Sequence, residues 1–183
     1  MRNRSFLSGA VLFLSIAPWA KSATPIATYE FNNTFAANEA GVPAITPVDP
    51  LGTSVFATDT VLGNSRSVWR FNGSALPPAS QAGLSVNTPA LITPESYSVD
   101  MVLECFDRAG AYRRLIDVQN RQPDNGAYVD PSNNLDIFPV NGSSASWTNN
   151  IYHHLVFTDN GSTVAMYLDG VSQFTSNTTI MNL

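Results

Sequence analysis

Residues 151–171 read IYHHLVFTDNGSTVAMYLDGV and carry the strongest structural signal in this chain. Residues 151–158 and 164–168 are rich in β-branched and aromatic side chains, which suit half-buried, pleated strands. An Asn-Gly pair at 160–161 and an Asp-Gly pair at 169–170 tolerate the positive φ of tight hairpin turns. The pattern predicts two strands folded on one another and the start of a third, which is a β-meander.

The two adjacent histidines of this stretch point to opposite faces of the predicted strand. His153 shares a face with Leu155 and Phe157, whereas His154 lies on the other face, because side chains alternate along a strand. Two neighbouring residues on a regular strand cannot bind one metal ion together, and no cysteine cluster accompanies them. The pattern favours a structural role for the pair over a zinc site.

The rest of the chain has the spacing of short strands separated by turn residues. Prolines at 43, 47 and 50 indicate an irregular connection over residues 32–53, and no ten-residue window has convincing helical periodicity. This pattern is typical of an antiparallel sandwich or barrel. Strands are predicted at residues 26–31, 66–71, 84–87, 97–106, 114–118, 127–129 and 135–138.

Three stretches resemble the laminin-G-like jelly-roll domains of the concanavalin A-like lectin/glucanase superfamily. The segment 152–171 is similar to that family's W-H-H-V…L-Y-V-D-G pattern, with Tyr152 in place of Trp. The segment 67–73, SVWRFNG, is similar to its A-L-x-F-D-G strand, and residues 97–106 are similar to its central strand. The resemblance extends over residues 26–183 and implies an all-β, antiparallel β-sandwich of jelly-roll type, with Trp69 and Phe71 in the core.

The resemblance also implies that the fold continues beyond this chain. Domains of that family continue with two or more strands after the meander, whereas only nine residues follow position 174 here. We therefore expect a domain, residues 23–183, that lacks its C-terminal strands. Its opening strand, 26–31, would then have an unpaired edge.

The first 22 residues have the pattern of a secretory signal peptide. Arg2 and Arg4 precede an apolar run at 6–16, and Ala20-Lys21-Ser22 gives a small-x-small cleavage site. Export to the extracellular space, the cell surface or the periplasm is predicted, with no membrane span in the mature chain. Without this segment six basic residues face 14 acidic ones, a net charge of −8 that makes nucleic acid and anionic membranes poor partners.

No residue pattern predicts a catalytic site. Asp100 and Glu104 lie on one face of the 97–106 strand, but four residues of strand separate their Cα atoms by about 13 Å. Glycoside hydrolysis needs carboxyl groups about 5 to 9.5 Å apart. Cys105, the single cysteine, alternates in phase with apolar residues and is predicted to be a small core residue.

The connection at 117–126 is the candidate binding site. It contains Asp117, Asn120, Arg121, Asp124 and Asn125, and binding residues concentrate on such loops. Calcium prefers carboxylate and amide oxygens, and laminin-G-like domains often bind calcium at a loop rim. Asp117 and Asp124 are therefore the candidate metal ligands, and a polar loop without a ligand is the alternative. Asn133, Asn134 and Asp136 form a second polar group of the same kind.

Together these features favour an exported, non-catalytic module that binds a glycan or an extracellular protein partner, with calcium as the candidate cofactor. A glucanase-type hydrolase and a structural or surface-display domain without a ligand are the alternatives, because one sandwich fold serves all three.

Overall fold

The computed structural model describes residues 24–73, 78–92, 96–106, 111–118, 120, 122–140, 142 and 147–183. The predicted signal peptide and Arg121 lie outside these residues. Eleven strands and two 3-10 helices, Pro78–Ser80 and Thr88–Ala90, make up the regular structure of the described part. The strands are β1 (Thr46–Val48), β2 (Val55–Val61), β3 (Asn64–Arg70), β4 (Gly83–Ser85), β5 (Tyr97–Glu104), β6 (Arg113–Ile116), β7 (Gly126–Val129), β8 (Leu135–Phe138), β9 (Tyr152–Asp159), β10 (Thr163–Leu168) and β11 (Val171–Asn177).

These strands form four sheets in which every pair is antiparallel. The largest has the order β11-β10-β9-β5, and a second has the order β6-β7-β8. The hairpin β2-β3 and the pair β1-β4 complete the set. The predicted all-β, antiparallel class is confirmed.

The predicted meander forms three of the four strands of the largest sheet. Strands β9, β10 and β11 are neighbours in sequence and in the sheet. Gly161 has φ of 87° in the first turn, and Asp169 and Gly170 have φ of 51° and 79° in the second. Gly161 and both residues of the Asp-Gly pair therefore adopt the positive φ for which these turns were identified.

The hydrophobic core lies between the two larger sheets, which is the arrangement of a β-sandwich. Residues of β7 and β8 form one continuous cluster with residues of β5, β9 and β10. The side chains that alternate inward are buried, as the period of a strand requires. The largest of them are Phe157, Leu135, Ile137, Leu155 and Met166, each less than 2% exposed. Cys105 packs against this cluster, and burial raises the pKa of its thiol to about 11.

The predicted opening strand at 26–31 is wrong, because its backbone bonds to a nearby loop instead of a sheet. The N–H and hydroxyl of Thr28 both donate to the Glu39 carboxylate at 2.7 Å, and the Thr28 carbonyl accepts from Asn38. Phe31 has φ of 54°, which no regular strand allows. The remaining predicted strands are confirmed to within two or three residues at each end.

The predicted 66–71 strand pairs in a hairpin with β2, a strand that the sequence left unassigned. The turn of this hairpin has positive φ at Leu62 (47°) and Gly63 (82°). Trp69 packs at 4.9 Å between ring centroids against both Phe35 and Phe56, in an aromatic cluster separate from the main core. Phe71 is 47% exposed, so its predicted place in the core is wrong. Strand β1, which contains Pro47, was likewise missed.

His153 links the start of β9 to the preceding segment, at Thr148, and to the β10-β11 turn, at Asp169. Its ring is 4% exposed and tilted against Trp147, with ring centroids 4.5 Å apart. Nε2 lies 3.0 Å from the Thr148 carbonyl oxygen, within hydrogen-bonding distance. Nδ1 lies 2.7 Å from Oδ2 of Asp169. The structural role predicted for this histidine is confirmed.

Asp169 completes this arrangement, which we call the His153 clamp (His153, Asp169, Thr148 and Trp147). Burial acts to raise the pKa of Asp169, but the hydrogen bonds from the His154 N–H and the His153 ring outweigh it and hold the pKa below its usual value. The carboxylate thus bonds two successive residues of β9 from the β10-β11 turn.

Within the described residues, no helix is long and apolar enough to cross a lipid bilayer.

The adjacent histidines provide a matched pair for testing the clamp. We expect His153→Ala to lower the free energy of unfolding by about 2–4 kcal/mol, because it leaves a cavity and removes two hydrogen bonds. His154→Ala should cost less than about 1 kcal/mol, because its 2.8 Å pair with Asp100 is solvent-exposed. Denaturant unfolding of both variants measures the difference. Equal losses would contradict the role assigned to His153.

Candidate ligand-binding site

The structure brings together the two carboxylates of the predicted binding loop. Asp117 follows β6 and Asp124 precedes β7, and the guanidinium of Arg114 forms an ion pair with each. The hydroxyl of Tyr128 donates to the same Asp124 at 2.6 Å. The predicted proximity of Asp117 and Asp124 is therefore observed, and a residue outside the predicted set, Arg114, joins them.

The pairing of the strands explains why these groups meet. Arg114 on β6 is the register partner of Tyr128 on β7, so both side chains lie on the face directed away from the core. A register irregularity between Arg114 and Ile116 follows. Beyond it, the connection to β7 carries Asn120, which is exposed with φ of 51°, and the partly buried Asn125.

The same outer face carries exposed aromatic rings. We call the set Tyr112, Arg114, Tyr128, Asp136 and Phe138 the aromatic face. Tyr112 is 53% exposed and Phe138 is 42% exposed, although rings of this size usually gain from burial. Tyr112 stands edge-on to Tyr128, with centroids 5.7 Å apart, and to Phe138 at 6.5 Å. The buried Tyr128 thus supports the Tyr112 ring, which in turn contacts the ring of Phe138.

Charge and hydrogen bonding fix the orientation of the supporting ring. The Arg114 guanidinium lies 5.2 Å from the centroid of the Tyr128 ring. Burial, and after it the hydrogen bond to the Asp124 carboxylate, raises the pKa of Tyr128 well above its usual value. The hydroxyl therefore remains a hydrogen-bond donor at every physiological pH, and Tyr128 cannot turn without losing that bond.

Asp136 is the remaining charged group of the aromatic face. It is the register partner of Tyr128 on β8. Burial, and after it the negative charge of Asp130, raises the pKa of Asp136 above its usual value. Ionisation of this carboxyl group is thus less favourable than that of an exposed aspartate.

The second predicted polar group serves to hold loops together. Asn133 accepts from Arg113 and from Asn149, while the Asn134 N–H bonds to the Asp130 carboxylate. Asn133 and Asn134 therefore do not converge with Asp136 on one site.

No metal site is apparent in the described part of the chain. No three His, Cys, Asp or Glu residues are grouped there so as to hold an ion. Asp117 and Asp124 both bond to Arg114, so a calcium ion at this loop would have to compete with a guanidinium. Their proposed role as calcium ligands remains a prediction.

Asp100 and Glu104, the carboxylates considered for a glucanase, lie in different surroundings. Asp100 pairs with His154 at 2.8 Å on the solvent side of β5. Glu104, four residues further on, lines a cleft with Tyr152 and Asp59. The two carboxylates contact different groups.

Comparisons with protein-family models, curated proteins and solved structures gave no significant match. The fold and the site together define an all-β, antiparallel protein with an exposed aromatic face beside an acidic, amide-containing loop. Function is therefore inferred from this geometry and chemistry.

Asp136 gives the protein a specific pH dependence. Because the folded-state pKa is raised, the native state binds this proton more tightly than the unfolded chain does, and stability falls as pH rises above the unfolded value of about 3.9. We expect Asp136→Asn to raise the melting temperature at pH 7, and the gain should fade below about pH 4. A lower melting temperature for the variant at pH 7 would contradict the assignment.

The competition between Arg114 and calcium can be measured directly. Arg114→Gln leaves Asp117 and Asp124 close together without their counter-charge. We expect millimolar calcium to raise the melting temperature of this variant more than that of the unchanged protein, because an ion that binds only the native state stabilises it. Asp124→Ala in the same background should abolish the shift. Equal shifts in all three proteins would exclude this loop as the calcium site.

Proposed function

We propose that this protein is an exported, non-catalytic module that binds a glycan on the aromatic face and the adjoining 117–125 connection. The observation that carries the proposal is the pair of exposed rings, Tyr112 and Phe138, which stand edge-on to each other, with Tyr112 also packed against a fixed Tyr128. The C–H face of a sugar ring is apolar, and an exposed aromatic ring offers it a flat surface of matching character.

Polar groups for the sugar hydroxyls lie at the edge of this surface. Within the described residues, the side chains of Asn120 and Asn125 make no hydrogen bond, so each has both donor and acceptor capacity to offer. Asp124 and Arg114 form a charge-assisted pair that is already oriented and partly exposed. A few placed polar groups beside an apolar surface are what orient a small ligand.

Rigidity before binding supports the same function. Tyr128 is held by Asp124, Arg114 and the Tyr112 ring, and the strands β6, β7 and β8 hold the aromatic residues at fixed spacing. A preformed surface loses little conformational entropy on binding, so more of the contact energy appears as affinity.

The wider setting of the proposal rests on the sequence. The segment 1–22 has the features of a signal peptide, which supports export. The resemblance to laminin-G-like domains supports a jelly-roll arrangement of the two sheets that share the core. Calcium bound by Asp117 and Asp124 would stabilise the loop beside the rings. Asp100 and Glu104 contact different groups, and this supports a non-catalytic role.

The decisive experiment is a glycan array followed by titration of the best ligand with three variants. Tyr112→Ala and Phe138→Ala should each weaken binding at least tenfold, about 1.4 kcal/mol, because each removes one stacking ring. Phe71→Ala is the matched control, since Phe71 is an equally exposed aromatic residue outside the aromatic face. It should change the affinity by less than about twofold.

Two results would contradict this function. One is the absence of binding to any glycan on the array, with or without calcium. The other is an equal loss of affinity in all three variants, which would place the site elsewhere. Binding of a protein ligand that depends on Tyr112 and Phe138, without glycan binding, would favour an extracellular protein partner over a glycan.

A further inference from the structure

A cleft of about 360 Å³, separate from the aromatic face, lies where the β2-β3 hairpin meets the start of β9. One wall comes from the tip of the hairpin, and the other comes from the end of β5 and the segment leading into β9. The lining residues are Asp59, Thr60, Leu62, Glu104, Asn150, Ile151 and Tyr152. This volume lies within the range of small-ligand sites.

The cleft combines apolar walls with polar groups that have no internal partner. Leu62 is 59% exposed and Ile151 is 47% exposed. In the part of the chain that the structure describes, the carboxylate of Glu104 and the side-chain amide of Asn150 make no hydrogen bond. Such groups retain their full capacity to bind a ligand.

The other carboxylate of the cleft, Asp59, already accepts hydrogen bonds from three groups of the protein. It accepts from the Thr60 N–H at 2.7 Å, from the Tyr152 hydroxyl at 3.1 Å and from Arg70 at 3.1 Å. The hydrogen bond from Thr60, followed by that from Tyr152, lowers the pKa of Asp59 below its usual value. Asp59 thus fixes the hairpin tip against β9 and leaves Glu104 as the carboxylate available to a ligand.

Tyr152 completes the wall as a neutral group. Burial, followed by its hydrogen bond to Asp59, raises the pKa of Tyr152 to about 12. Its ring stays uncharged at physiological pH, beside a free carboxylate and two aliphatic side chains. The chemical complement is a slender apolar stem that ends in a positive charge.

We propose that this cleft binds the side chain of a lysine supplied by a partner protein. The four-carbon stem would lie between Leu62 and Ile151. The ammonium group would bind the Glu104 carboxylate and the side-chain oxygen of Asn150. A single free carboxylate suits the compact ammonium of lysine better than the two-pronged guanidinium of arginine, which prefers paired acceptors.

The sequence indicates that the lysine comes from a different protein. The one lysine of residues 1–183 is Lys21, which lies in the predicted signal peptide, so residues 23–183 contain no lysine that a second copy of this domain could supply. The expected net charge of −8 for the mature chain would draw basic partners toward it over the range of a Debye length. The proposal is independent of glycan binding at the aromatic face.

The test uses Nα-acetyl-lysine methylamide as the probe, followed by amide chemical shifts of the labelled protein. We expect saturable shifts at Ile151 and Tyr152 at millimolar probe, weakened by added salt. Glu104→Gln should weaken binding at least tenfold. Glu30→Gln removes the same charge from an exposed carboxylate elsewhere and should leave the affinity within about twofold.

Further probes and variants separate the contributions of the ammonium charge and the aliphatic stem from an effect on folding. The probe acetylated on its ε-nitrogen should not bind, because acetylation removes the charge. Ile151→Ser, which alters an exposed wall residue without touching the carboxylate, should also weaken binding and guards against a folding defect in Glu104→Gln. Binding by n-butylamine as tight as by the lysine probe would overturn the partner-lysine assignment and favour a free amine. Equal binding of the acetylated probe, unchanged affinity in Glu104→Gln, or no saturable shift would overturn the site.

Discussion

The His153 clamp is the interaction on which the rest of this structure depends. Asp169, at the turn after β10, bonds the ring of His153 and the backbone of His154, so the β10-β11 turn is tied to the start of β9. This fixes which face of β9 points inward. Leu155 and Phe157 then follow in alternation into the core, where they meet the buried residues of β7 and β8. A one-residue slip would turn that whole face toward solvent.

The core in turn positions the two binding surfaces. Inward residues of β7 alternate with Tyr128, so packing the core directs the supporting ring of the aromatic face outward. Arg113 lies beside Arg114 and bonds to Asn133 and Asn149, which joins the β7-β8 turn to the segment that enters β9. The next residues of that segment, Asn150 and Ile151, line the cleft proposed to bind lysine. One framework thus holds both surfaces in place.

The sequence predicts features that depend on neighbouring residues better than features that depend on distant ones. The meander and its turns follow from local composition, and Asp117 and Asp124 share one short connection. The aromatic face depends on the register that sets Arg114 opposite Tyr128 and Phe138 opposite Gly126, which no local pattern specifies. The cleft needs Asp59 to meet Tyr152 across 93 positions of sequence. The failed strand at 26–31 has strand-like composition, but its backbone bonds go to Glu39 and Asn38, and composition does not reveal such a partner.

Native-state amide hydrogen exchange is the most direct measure of whether the clamped meander is the centre of stability. Amides of β9 and β10, which lie inside the sheet and against the core, should exchange only on global unfolding. Amides of the β2-β3 hairpin, a two-stranded sheet outside the main core, should exchange through local opening at much lower free energy. Protection in β2-β3 equal to or greater than that in β9 would contradict the account.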